Sequence, residues 1–164
     1  MNRRTLLFAS LAPITAAGAV LLSSRKSESL AKTMGKFEVS KTEAQWRKIL
    51  TPAQFEVLRK EGTERAGTSP LTEEHRQGKF ACAACNLALF ASETKFESGT
   101  GWPSFYAPIP GAVKTSVDTS FDATRTEVHC RRCGGHLGHV FEDGPKPTGL
   151  RYCMNGVAMK FFSI

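Results

Sequence analysis

Beyond its first 22 residues, this 164-residue chain has no long hydrophobic run, no low-complexity segment, and no internal repeat apart from two short cysteine pairs. Solenoid architectures and long disordered arms are thereby excluded. No cysteine occurs before Cys82, so the apolar run near the N-terminus carries no lipoprotein anchor. Acidic residues are in the minority, 15 against 22 Lys and Arg, but the surplus is uneven. Arg3, Arg4, Arg25 and Lys26 against Glu28 fall within residues 1–31, so the formal charge drops from +7 for the chain to +4 for the remainder. Four thiolates around a divalent ion would remove about two further charges. The basicity left is dispersed, and no nucleic-acid partner is expected from it.

The opening stretch MNRRTLLF pairs Arg3 with Arg4 ahead of an apolar run from Leu6 to Leu22, the pattern of a twin-arginine export signal. Ser29, Leu30 and Ala31 form a small-x-small cleavage site, with processing near Ala19 as the alternative. The expectation is a signal over residues 1–31, cleavage near Ala31, one domain over 32–164, and a periplasmic or otherwise exported location. An uncleaved anchor competes, because the run is about 25 Å long as a helix.

From Ser40 to Glu61 the spacing is helical. Ser40 with Glu43 and Thr51 with Gln54 read as capping boxes, and Pro52 suits a first helical position. Two short helices follow: Trp46, Ile49 and Leu50 on one apolar face, and Phe55, Val57 and Leu58 on the next, ended by Gly62. Thr68–Gln77 is loop-like, with a helical turn expected over Thr72–Arg76 and a solvated His75. After Gly78 come short apolar segments separated by Gly and Pro: KFAC, NLALF, TKF, AVKTSVD, TEVHC, GHVF, RYCMN and VAMKFFSI. These predict a mainly β, antiparallel domain with Phe80, Leu87, Leu89, Val113, Val128, Val140 and Phe161 in its core.

Five cysteines are an odd number for disulfide pairing. Cys82 with Cys85 and Cys130 with Cys133 form two Cys-x-x-Cys knuckles, the ligand number and spacing of one tetrahedral structural Zn2+ site. Two disulfides are the competing arrangement in an exported protein. Cys153 is then left over. On a strand, Arg151, Cys153 and Asn155 share a face, so a cation and an amide approach the sulfur, and a nearby cation favours the thiolate. His136 and His139, in the glycine-rich stretch GGHLGHVF, are the available acid or relay groups.

SGTGWPSF (98–105), CGGHLGHVFEDGP (133–145) and RYCMN (151–155), together with both knuckles, resemble methionine sulfoxide reductases of type B over roughly Ser40–Phe162. The resemblance implies two small antiparallel sheets with short N-terminal helices, a zinc site away from the active face, and selectivity for the R epimer of methionine sulfoxide in proteins or peptides. By position it implies Cys153 as nucleophile, with His136, His139 and Asn155 ordering water and protons. It also implies Trp102 as a wall of the substrate pocket, and Phe105, Phe141 and Arg151 as its neighbours. Many members carry a resolving cysteine where this chain has Thr100. An external thiol or thioredoxin-like partner is therefore expected to reduce the Cys153 sulfenic acid, and a monomer is expected. Two other readings stand beside this one: a zinc-ribbon binding module presenting Arg131 and Arg132 to nucleic acid or an acidic protein, and a thiol-disulfide exchanger using Cys82 and Cys85.

Overall fold

The computed structural model describes residues 37–120 and 123–164. The signal-like segment and its cleavage positions lie outside the described residues.

Two helices, α1 (Glu43–Ile49) and α2 (Pro52–Lys60), lead the fold and are separated only by Leu50 and Thr51. Each begins on a reciprocal capping box, Thr42 with Gln45 and Thr51 with Gln54. The first box is thus two residues later than expected at Ser40, because Gln45 has the reach to close on Thr42 while Glu43 turns to Arg47 one turn on. α2 closes on Glu61, whose φ of 57° makes it the left-handed cap, and Gly62 follows it. Trp46 and Leu50 are buried, but Ile49 is 55% exposed and does not join their face. Adjacent helical positions point about 100° apart, which turns Ile49 away once Leu50 faces the core.

The remaining chain is antiparallel sheet. Its strands are β1 (Gly78–Cys82), β2 (Ala88–Ala91), β3 (Lys95–Phe96), β4 (Ser104–Phe105), β5 (Val113–Asp118), β6 (Arg125–Cys130), β7 (His136–Phe141), β8 (Arg151–Met154) and β9 (Met159–Ser163). They form two sheets, ordered β2-β1-β9 and β3-β4-β8-β7-β6-β5. The expected helical turn at Thr72–Arg76 lies instead at Pro70–Glu73, as a 3-10 turn started by Ser69, whose hydroxyl accepts from Leu71 N. Further such turns are Ser92–Thr94, between β2 and β3, and Gly156–Ala158, which joins β8 to β9.

Phe80, Leu89, Phe90, Phe105, Val128, Leu137 and Met154 have no exposed surface. The Phe90 and Phe105 rings stack at 4.4 Å and the Phe80 and Phe105 rings meet edge-on at 4.9 Å. Burying each such side chain stabilises the fold by about 1.5–3 kcal/mol. Leu87, Val113, Val140 and Phe161, expected in the core, are half-buried at its margin. Gly138 permits the closest approach in the centre of the larger sheet: its φ of 154° and missing side chain leave room for the Cys153 carbonyl, where a Cβ would collide. That approach seats β8, and with it Cys153, against β7.

Candidate active site and metal centre

The two knuckles are built alike. Cys82 closes β1 and Cys130 closes β6; each accepts from the amide four residues on, Asn86 N and Gly134 N, both at 2.8 Å. Asn86 and Gly134 both take left-handed backbone, with φ of 57° and 66°. Cys82 N and Cys130 N in turn donate to Leu87 O and Gly135 O at 2.8 and 2.9 Å. The amides of both knuckles therefore close inward, and the four sulfurs converge within 4.8 Å of one another. Cys82 Sγ lies 3.7 Å from Cys133 Sγ, and Cys85 Sγ lies 3.5 Å from Cys130 Sγ. Four ligands about 2.3 Å from a tetrahedral ion stand about 3.8 Å apart, so the donor set and its spacing fit a tetrathiolate metal. Hydrogen bonds among the thiols hold Cys85 and Cys130 below the ordinary thiol range and Cys82 and Cys133 above it.

Neighbouring cations secure this centre from outside. Arg59, lying over the Trp46 ring at 5.0 Å, donates to Cys133 O at 3.1 Å, and Arg132 donates to Cys85 O at 3.3 Å. Arg131 and Arg132 both reach Glu38, at 3.5 and 3.4 Å. The two arginines that a binding-module reading offers to an acidic partner are thus engaged within the chain.

Cys153 belongs to none of this. It pairs with Ser104 across β4 and with His139 across β7, and it lines a cavity of about 140 Å3 with Thr63, Trp102, Arg125, Gly138, His139, Phe141 and Asn155. Burial pushes its thiol up, opposed by a hydrogen bond with Thr100 and by the charge of Arg151. Thr100 Oγ1 stands 3.8 Å from Cys153 Sγ. The cation expected beside the sulfur is present, but Asp143 holds it through two bonds of 2.9 and 2.8 Å, and burial outweighs it.

His139 faces the cavity and is backed by Asp118, Nε2 to Oδ2 at 2.8 Å. A carboxylate only accepts, so Nε2 carries the proton in the neutral ring and Nδ1 keeps the lone pair. Burial, with Arg125 nearby, lowers the His139 pKa against the pull of Asp118, which favours the neutral ring. Asp118 itself is held well below the usual carboxylate range, chiefly by the Ser120 hydroxyl. His136 is buried behind, its ring 5.4 Å from that of His139, with Nδ1 on Glu127 Oε1 at 2.9 Å.

Of the residues expected at the site, Cys153, His139, Asn155, Trp102 and Phe141 share the cavity. His136 is one layer back and touches it only through His139. Phe105 does not line it at all: it lies one strand over from Cys153 and its ring is spent in the Phe80 and Phe90 stack. Arg151 lines a separate cleft with Ser98, Thr100 and Asp143. Sequence reasoning missed Asp118, Glu127, Arg125, Thr63 and Glu64. Glu64 bonds to four separate residues. Its N–H donates to Asn155 Oδ1 at 2.9 Å, its carbonyl accepts from Trp102 Nε1 at 3.1 Å, and its carboxylate accepts from Gly156 N and Val157 N. It sits in a loop with no periodicity or motif, so no local signal marked it.

A lone half-buried thiol in an aromatic-walled cavity, on a two-sheet fold whose other four cysteines cluster apart as a possible metal site, fits the class of thiol-bearing oxidoreductases. The comparisons make the class particular. The chain belongs to the SelR domain family, whose model matches residues 50–163. It is 53% identical to "Peptide methionine sulfoxide reductase MsrB" of Leptospira interrogans, over 76% of this chain and 96% of that protein. The protein of the same name from Agrobacterium fabrum is 53% identical over 76% and 93%, and that of Methanosarcina barkeri 54% identical over 78% and 91%.

Proposed function

We propose that this chain is a peptide-methionine (R)-S-oxide reductase in which Cys153 is the nucleophile. The observation that carries the reading is the cavity itself: one thiol, one carboxylate-backed histidine, one amide and two aromatic walls, in a chain that spans nearly the full length of relatives named for this activity. Trp102 and Phe141 suit the methyl-sulfur end of the substrate. The Cys153 sulfur gives two electrons to the sulfoxide sulfur and takes its oxygen, with the proton routed by His139 and Asn155; methionine leaves and Cys153 becomes a sulfenic acid. An external thiol then attacks that sulfur, forming a mixed disulfide and releasing water, and a second thiol returns Cys153 to the reduced state. The external source follows from Thr100 beside the sulfur and from the commitment of the other four cysteines to one cluster.

Cys82, Cys85, Cys130 and Cys133 would hold zinc, which would supply a cross-link between the end of β1 and the end of β6 and leave the chemistry at Cys153 to the protein's own groups. Export by the twin-arginine route, supported by Arg3, Arg4 and the following apolar run, carries folded proteins and so lets metal enter before the thiols meet an oxidant. We read the enzyme as a monomer working outside the cytoplasm.

The test is a single turnover without reductant on separated R and S sulfoxides. About one methionine per enzyme from the R epimer alone, with a trappable sulfenic acid and no product from Cys153→Ser, is expected. Product from the variant, or from the S epimer at the same rate, would sink the assignment.

A further inference from the structure

At about 140 Å3, the cavity over Cys153 takes one side chain. It falls short of the about 300–1,000 Å3 of ordinary ligand pockets, so the rest of a polypeptide substrate must run over the surface beside it. A second cavity of about 560 Å3 opens there, walled by Ala53 and Val57 of α2, Pro70 and Leu71 of the 3-10 turn, and Val157 and Met159. Thr63 lines both cavities. Their walls also run on along the chain, since Asn155 borders the smaller and Gly156 and Val157 the larger. Glu64 is the partition: its backbone holds Asn155 and Trp102 on one side, and its carboxylate caps the Gly156 and Val157 amides on the other.

We propose that this second cavity is a substrate subsite that takes one apolar side chain of the oxidised protein, within three residues of its methionine sulfoxide. The proposal rests on the reductase reading and names which protein segments the enzyme favours. Chemistry selects the occupant. Among the described residues the lining includes two carboxylates, Glu56 and Glu64, and no Lys, Arg or His, so an acidic side chain meets repulsion while an apolar one is sheltered. Geometry sets the reach: an extended chain advances about 3.3–3.6 Å per residue, so neighbours one to three positions away span two adjoining cavities. Methionine itself is a residue of protein interiors, so segments exposing an oxidised one present apolar neighbours too.

The experiment compares the R-sulfoxide in a blocked amino acid with the same group in peptides carrying Leu or Asp at each position within three residues of it. With the wild-type enzyme, Leu at a preferred position should lower KM about tenfold against Asp, with kcat little changed, because the contact is made equally before and during the reaction. Ala53→Trp, which fills the cavity, and Leu71→Asp, which charges it, should each collapse that Leu-to-Asp ratio. The ratio is taken within one protein, so partial loss of fold cancels. Equal KM values for Leu and Asp peptides, or a preference that survives both variants, would overturn the subsite. No turnover of any R-sulfoxide, the blocked amino acid included, would overturn the reductase reading and the subsite with it.

Discussion

At the knuckles, four cysteines stand with their sulfurs within 4.8 Å of one another, on turns whose amides close back on the first cysteine of each pair. On β8, Cys153 stands apart, half-buried, with a hydroxyl at 3.8 Å and a guanidinium already shared with Asp143. The side chain is the same and the chemistry is not. Convergent thiols share protons and form a closed cage that a cation completes, leaving no position for substrate. A solitary thiol under partial burial is pushed toward its protonated form, and it becomes a nucleophile only through the groups that stabilise its thiolate. Reactivity here is a property of company and access, and the five cysteines divide cleanly on both.

Breaking the cage should have the largest effect. Cys133→Ser removes one sulfur of the proposed zinc centre; metal affinity at such centres is worth about 10–16 kcal/mol to folding in small zinc domains, as much as a typical domain's whole net stability of about 5–15 kcal/mol. The variant is expected to lose zinc and to show no cooperative thermal transition by circular dichroism. Cys153→Ser, measured alongside, should keep both metal content and Tm. A Cys133→Ser protein that melted like the wild type would erase the distinction between structural and reactive thiols.

Disturbing the wall of the reactive side should come next. Glu64→Ala frees the amides of Gly156 and Val157 and unpins the backbone that holds Trp102 and Asn155. A displacement of about 1 Å near reacting groups costs up to about a hundredfold, so kcat/KM for the R-sulfoxide should fall about ten- to a hundredfold, mostly in kcat. Glu64→Gln, which keeps one acceptor oxygen, should recover part of the loss. Equal, small losses in both variants would reduce Glu64 to a surface strut.

The smallest effect sharpens the comparison most. Burial raises the Cys153 pKa, so near neutral pH the thiolate is the minor form and the single-turnover rate should climb with pH. Thr100→Val deletes a hydrogen bond that favours the thiolate, raising the thiol further. The rate at pH 7 should drop about three- to tenfold, the loss of about 1 kcal/mol of hydrogen-bond stabilisation, and the rising limb should move to higher pH. Above that limb the two proteins should converge. A pH profile of unchanged position would show that Thr100 does not support the thiolate.

Much of this was legible because it is local. Two Cys-x-x-Cys pairs carry their own geometry, and both knuckles formed with the same hydrogen bonds. Alternating apolar residues between turns foretold the strands, and the Thr51 and Gln54 box was read where it stands. The misplacements are local near-ties: Ser40 and Thr42 are both cap-forming by type, and which one closes depended on the reach of Gln45. Phe105 was drawn to the site by its place in GWPSF, yet alternation along β4 sends its ring into the core stack. His136 and His139 look equivalent three residues apart, and only strand register put one at the cavity and the other on Glu127.

By itself, the sequence determined which residues can bind a metal, which thiol is left over, and that strands rather than helices follow Gly78, because ligand type, spacing and period-two alternation act over a few bonds. Tertiary structure alone decided that Asp118 backs His139, that Asp143 shares Arg151, and that Glu64 joins Trp102, Asn155 and Gly156 across more than ninety residues of chain at its furthest. Those partners meet through the register of β5 to β8 and the docking of α2 on β7. Register is a collective outcome of the whole buried core, which no short stretch of sequence encodes.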